Sequence, residues 1–249
     1  MTELRGTMID LGDLEGYLTR PADGAEVRGG LVLIHEIWGL ADHIKDVADR
    51  FAAEGYVVIA PDILSHIGLD PDTGAEIRRM MFEASDQERS REQPALRDKM
   101  AASHSPEYAA WAVPALRRTV DRLAEEAGVG DRIAVAGFCF GGSYSFELAA
   151  ADPRIRAAAP FYGSPSDGTD YDGFGCPILA FYGGRDERLM GGLDDVTEKM
   201  AAHGVAFEPV VYPDAQHAFF NDTNAQTYDA DAAADAWQRV LAFLSRTLA

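Results

Sequence analysis

Six residues, Gly137-Phe138-Cys139-Phe140-Gly141-Gly142, constrain this chain more than any other stretch. They follow Arg132-Ile133-Ala134-Val135-Ala136, a short apolar run of strand type. They precede Ser143 to Ala150, which reads as a helix. A cysteine therefore stands at a sharp strand-to-helix turn, with glycine two places before it and two places after. This is the G-x-S-x-G nucleophile-elbow pattern with sulfur in place of hydroxyl. So tight a turn leaves its central residue in a sparsely populated backbone region. Side chains at the flanking positions would collide there, and Gly137 and Gly141 remove those collisions. The sulfur is expected to project from the top of a sheet at the positive end of the following helix, a field that favours thiolate. Free cysteine is also common as a small buried apolar residue. The spaced glycines and the helix start favour the functional reading.

The rest of the chain supplies the sheet such an elbow needs. Leu14 to Arg20 reads as an edge strand. Gly29 to His35 and Tyr56 to Ala60 are continuous apolar runs, as in strands buried on both faces. Ile155 to Tyr162, Pro177 to Tyr182 and Phe207 to Tyr212 read as further strands. Helical spacing marks Asp42 to Glu54, Glu107 to Ala127, a segment around Leu193 to Ala202, and Asp229 to Leu248. Strands alternating with helices imply an α/β fold, a mostly parallel central sheet with helices on both faces. The span 63–106 is rich in charge, with Arg78, Arg79, Arg89, Arg91, Arg97 and Lys99 among many acids, and is expected to form an excursion over the active-site face. No repeat or second-domain linker is visible, so 1–249 is expected to be a single domain.

Composition excludes several classes of function. The formal net charge of −19 argues against nucleic acid and anionic membrane surfaces. No run of ~18 apolar residues exists to span a bilayer. The first residues lack the basic-then-apolar layout of a signal peptide, so a cytoplasmic location is expected. The two cysteines, Cys139 and Cys176, give no disulfide framework, and no Cys/His cluster has zinc spacing. No metal and no cofactor is expected. The protein should be a monomer or small homo-oligomer.

In a parallel sheet, ligands sit at the carboxyl ends of the strands. Cys139, Asp186 and His217 each fall just after a strand, in the order nucleophile, acid, histidine that marks an α/β-hydrolase triad. A cysteine thiolate can attack an acyl carbon. A histidine can take its proton and pass it to the leaving group. An aspartate can hold the imidazole in one orientation. Taken singly, Asp186 could be a turn or helix-cap acid and His217 a structural residue; all three at strand ends, in this order, point to chemistry.

The chain resembles the dienelactone hydrolase family of α/β-hydrolases over nearly its whole length. The likeness rests on His35-Glu36-Ile37-Trp38-Gly39-Leu40, Ala60-Pro61-Asp62, the cysteine elbow, Tyr182-Gly183-Gly184-Arg185-Asp186 and Ala215-Gln216-His217-Ala218-Phe219. It implies an α/β-hydrolase fold and a Cys139–His217–Asp186 triad. It also implies that Glu36 lies near the thiol and helps control its ionisation. The oxyanion hole it implies is formed by the backbone N–H groups of Ile37 and Phe140. Trp38 and Tyr162 are candidate pocket walls. Family members that open chlorocatechol-derived dienelactones carry a carboxylate-binding arginine four residues after the catalytic histidine, where this chain has Asn221. The expected activity is cysteine-dependent hydrolysis of a small-molecule ester or lactone through an acyl-cysteine. Thioester or amide cleavage on the same triad, a thiol redox protein using Cys139, and a non-catalytic ligand-binding protein are the alternatives.

Overall fold

A computed structural model describes residues 4–69, 71–82, 101–103 and 105–249. Eight strands form one sheet: β1 (Thr7–Asp10), β2 (Glu15–Thr19), β3 (Gly29–Ile34), β4 (Tyr56–Pro61), β5 (Ile133–Phe138), β6 (Ile155–Phe161), β7 (Ile178–Gly183) and β8 (Phe207–Tyr212). Their order is β1-β2-β4-β3-β5-β6-β7-β8. From β4 to β8 every pairing is parallel, while β1 and β2 join antiparallel. The sequence pattern made β2 an edge strand. It is instead paired on both sides, with β1 at the edge, because Met8 and Ile9 give β1 too little apolar alternation to show as a strand.

The apolar runs of β3, β4, β5 and β7 are buried along their whole length. Helices cover both faces, as the pattern required. On one face α1 (Asp42–Ala53) and α6 (Ala230–Thr247) meet where the rings of Phe51 and Trp237 lie 4.5 Å apart. On the other, α3 (Pro106–Ala124) and α4 (Phe140–Ala151) meet through the edge-to-face pair Tyr108–Tyr144, 5.9 Å apart. Each fully buried aromatic or aliphatic side chain in these layers contributes roughly 1.5–3 kcal/mol.

The helix expected around Leu193–Ala202 starts earlier, so α5 spans Glu187–Ala202. Gly191 and Gly192 mask its beginning in the sequence, and the Asp186 cap sets it. Of the excursion over 63–106, the described part is a 3₁₀ turn at Ile63–Ile67 and α2 (Pro71–Phe82). Arg89, Arg91, Arg97, Lys99 and the side chain of Arg78 lie outside the described residues. α2 reaches the Glu36 loop: a Cβ on Gly74 would strike the Trp38 carbonyl. Among the described residues, no helix is long and apolar enough to cross a membrane.

Candidate active site

β5 sits between β3 and β6, and it ends at the elbow. Cys139 has φ 56° and ψ −112°, a conformation that side chains rarely adopt. It is held there from both sides. Its N–H donates to the Phe161 carbonyl at 3.0 Å, and its carbonyl accepts from the Ser143 N–H at 3.1 Å. The flanking glycines are required by space. A Cβ on Gly137 would collide with the Gly141 carbonyl, and one on Gly141 with the carbonyls of Ile34 and His35. Those are backbone atoms, so no rotamer change relieves the clash. Gly141→Ala is therefore expected to destabilise the protein by about 3 kcal/mol. Urea unfolding measures this, and a loss under about 1 kcal/mol would contradict the steric account.

The acid and the histidine come from the ends of β7 and β8, beyond β6 in the sheet. Asp186 follows β7 and caps α5, its Oδ1 accepting the Leu189 N–H at 3.3 Å. Its Oδ2 accepts Nδ1–H of His217 at 2.5 Å. The two loops are tied together by the Arg185 N–H on the Ala215 carbonyl at 2.9 Å, and a Cβ on Gly183 would strike the Gln216 carbonyl. Burial opposes ionisation of Asp186. The bond and charge of His217 and the Leu189 N–H outweigh it and hold the carboxyl below the usual carboxylate range. Burial likewise opposes charge on His217, yet its hydrogen bonds to Asp186 and to Cys139 prevail and raise its pKa to about 10. The three side chains thus form a connected row: sulfur, imidazole, carboxylate.

Glu36, two residues beyond β3, is only 3% exposed. Its Oε1 accepts the Tyr162 hydroxyl at 3.3 Å and its Oε2 accepts Nδ2–H of Asn221 at 2.6 Å. Tyr162 was expected in a pocket wall. It is fully buried, has φ 40°, and lies with its ring 5.1 Å from that of His217. Burial, with the charges of Glu36 and Cys139, raises its pKa well above 10, so it donates as a neutral phenol. It bridges Glu36 and the His217 ring.

Ile37 and Phe140 are both buried. The rings of His35 and Phe140 are nearly parallel with centroids 6.1 Å apart, and the backbone of Gly141 packs on Ile34 and His35. The turn carrying Ile37 therefore lies against the first turn of α4. Burial pushes the pKa of His35 to about 4; neutral, it donates from Nδ1 to the Glu36 carbonyl at 2.7 Å, which braces this turn.

Next to Glu36 is a cavity of about 400 Å³ whose walls include Trp38, Ile44, Arg79, Asn221 and Thr223. Trp38 and Asn221 both line this cavity. Thr223 is a residue that sequence reading missed: its N–H and hydroxyl both donate to Asn221 Oδ1, at 3.0 and 2.7 Å. An Asx-turn signal, asparagine followed two places on by a hydroxyl residue, could have found it. Among the described residues, no group of three or more His, Cys, Asp and Glu side chains is placed to hold a metal ion.

The model of the dienelactone hydrolase family matches residues 14–248. A Saccharolobus solfataricus protein provisionally named carboxymethylenebutenolidase is 32% identical over 258 aligned residues, covering 94% of this chain and 99% of that protein. Protein usf of Aquifex pyrophilus is 31% identical over 243 residues, covering 94% of each. The crystal structure of a provisionally assigned dienelactone hydrolase from Klebsiella pneumoniae aligns with TM-score 0.77 at 27% identity, over 93% of this chain and 92% of that one. A dienelactone hydrolase-like promiscuous phosphotriesterase from metagenomic libraries shares the fold, with TM-score 0.76 at 22% identity over 97% and 98% of the two chains.

Proposed function

We propose, because this chain belongs to the dienelactone hydrolase family and is an ester or lactone hydrolase, that it works through an acyl-cysteine on Cys139. The observation that carries this reading is the row of three side chains from the loops after β5, β7 and β8, sulfur to imidazole to carboxylate, with the cysteine on a strained elbow. His217 stands beside the sulfur, placed to hold the proton that the thiol gives up. The thiolate attacks the acyl carbon, and the carbonyl π pair moves onto oxygen. That oxygen is received by the backbone N–H groups of Phe140 and Ile37, at the amino end of α4. Collapse breaks the carbon–oxygen bond, and His217 gives its proton to the leaving oxygen. Neutral His217 then takes a proton from water, whose oxygen attacks the acyl-cysteine. Expulsion of thiolate restores the starting ion pair and releases the acid. Asp186 keeps the imidazole oriented throughout, and Glu36 sets the field in which the thiol ionises. Trp38 and the cavity beside Glu36 offer space into which the substrate can extend.

Rapid mixing with a nitrophenyl ester tests the reading. A burst of nitrophenol, with the acyl mass retained on Cys139 after acid quench, is the expected result. Acyl mass on any other residue, or none at a detectable burst, would overturn it.

The same cavity sets a preference among substrates. Asn221 is neutral, so no bidentate cation stands four residues after His217. Matched neutral and carboxylate-bearing lactones are therefore expected to differ, with kcat/KM for the anionic one lower by roughly 10- to 100-fold, the value of one charge-assisted contact. Of the arginines in the 63–106 excursion, Arg79 is the one among the described residues that lines this cavity, where it could reverse this. A wild-type preference for the anionic lactone that Arg79→Gln removes would show the prediction wrong.

A further inference from the structure

We propose that Asn221 is a positioning residue for Glu36, fixing that carboxylate with a neutral donor whose direction is imposed by Thr223. The inference rests on the reading of Glu36 as a group that governs the thiol, and it goes beyond that reading by saying what governs Glu36. An asparagine side chain has one acceptor end and one donor end. Here the acceptor end is taken twice, by the N–H and the hydroxyl of Thr223 at 3.0 and 2.7 Å. The backbone N–H can only donate, so the amide cannot rotate by half a turn without setting N–H against N–H. The donor end is thereby aimed at Glu36, and it meets Oε2 at 2.6 Å. Asn221 is 4% exposed and Glu36 3%, so water contributes little screening between them. The Tyr162 hydroxyl donates to the other oxygen, Oε1, at 3.3 Å. Both of these donors are uncharged, and each fixes where one carboxylate oxygen lies.

Among the described residues, the titratable and charged groups around Glu36 come from several elements. Tyr162 faces it from the end of β6, and His35 adjoins it at the end of β3. Asp42 and His43 from α1 and Arg79 from α2 share its cavity, while Cys139 and His217 stand on the far side of Tyr162. All of them persist in a variant changed only at position 221, so a difference between variant and wild type isolates the contact.

The test uses the full-length protein with carboxyl-¹³C glutamate, the Glu36 signal being identified by its loss in Glu36→Gln. Asn221→Asp is nearly isosteric but places a carboxylate against Oε2. Two carboxylates at such a distance cannot both ionise freely, and the pair should titrate in two steps about 3 pH units apart. Asn221→Ala is the second variant, should the first not fold. It removes a bond to the charged form, so the Glu36 titration should move to higher pH. A Glu36 titration that superimposes on wild type in whichever variant folds overturns the proposal. Alkylation of Cys139 by iodoacetamide across pH, in wild type and Glu36→Gln, reads the other link. If the Glu36 titration moves with Asn221 while Glu36→Gln leaves the alkylation profile unchanged, the positioning role stands and the reading of Glu36 as governor of the thiol fails.

Discussion

Cys139→Ala is expected to abolish ester hydrolysis, with kcat falling by on the order of 10⁶, the scale of losing a nucleophile whose partners act only through it. The fold should persist. Alanine keeps a Cβ at the same φ of 56°, and the two backbone hydrogen bonds that hold the elbow do not involve the sulfur. Cys139→Gly should be equally inactive but more stable than Cys139→Ala, by roughly 1–3 kcal/mol, because glycine adopts this conformation without the strain a side chain brings. Loss of activity with gain of stability at one position is a signature that simple misfolding cannot produce. Cys139→Ser should also be much slower, since an adjacent imidazolium that suits a thiolate gives little help to an alcohol. Iodoacetamide gives the complementary result. Cys176 is 6% exposed and burial pushes its thiol up to about 12, so only Cys139 should be carboxymethylated, in step with inactivation. Full activity in Cys139→Ala, or inactivation that tracks alkylation of Cys176, would remove the cysteine mechanism.

The parts of this molecule legible from sequence are those where local chemistry admits one solution. The elbow is one: two glycines and a strand-to-helix switch permit little else, and the Gly137 and Gly141 clashes show why. The fully buried strands are another, since β3, β4, β5 and β7 lie between helix layers and must be apolar on both faces. The edge strand β1 was not legible, because a four-residue exposed strand carries almost no pattern. Asp186 posed a choice between a helix cap and a partner for the histidine, and in the structure it makes both contacts: one oxygen caps α5 and the other meets His217. Tyr162 could be recognised as near the site but not as buried beneath it, because its place depends on a positive φ at the end of β6. The meeting of Asn221 with Glu36 joins residues 185 apart in sequence, and long-range pairings of that kind leave no local trace.

The double duty of Asp186 makes Asp186→Asn the most informative change on the acid side, with kcat expected to fall by on the order of 10⁴ and KM little altered. Asparagine can keep its oxygen on the Leu189 N–H, preserving the cap of α5, but its amide nitrogen then faces Nδ1 of His217. Nδ1 must become the acceptor, and the neutral imidazole carries its proton on Nε2, pointing the wrong way to receive one. Stability should change little, whereas Asp186→Ala loses the cap as well and should cost about 1 kcal/mol more. A second readout comes from pH. The folded-state pKa of His217 is raised to about 10, against about 6.5 for an unfolded histidine. The folded protein therefore binds the extra proton between those values, so the stabilisation is fully present below pH about 6.5 and is lost as pH rises through about 10. The melting temperature of wild type should decline across that window, and the decline should be markedly shallower in His217→Gln and in Asp186→Asn, where the ion pair is absent. His217→Gln should also lose roughly 10²- to 10⁴-fold in kcat, the usual contribution of a positioned acid–base group. A wild-type melting temperature flat across the window, or kcat in Asp186→Asn within about tenfold of wild type, would mean that the carboxylate serves α5 alone and that the imidazole is oriented by something else.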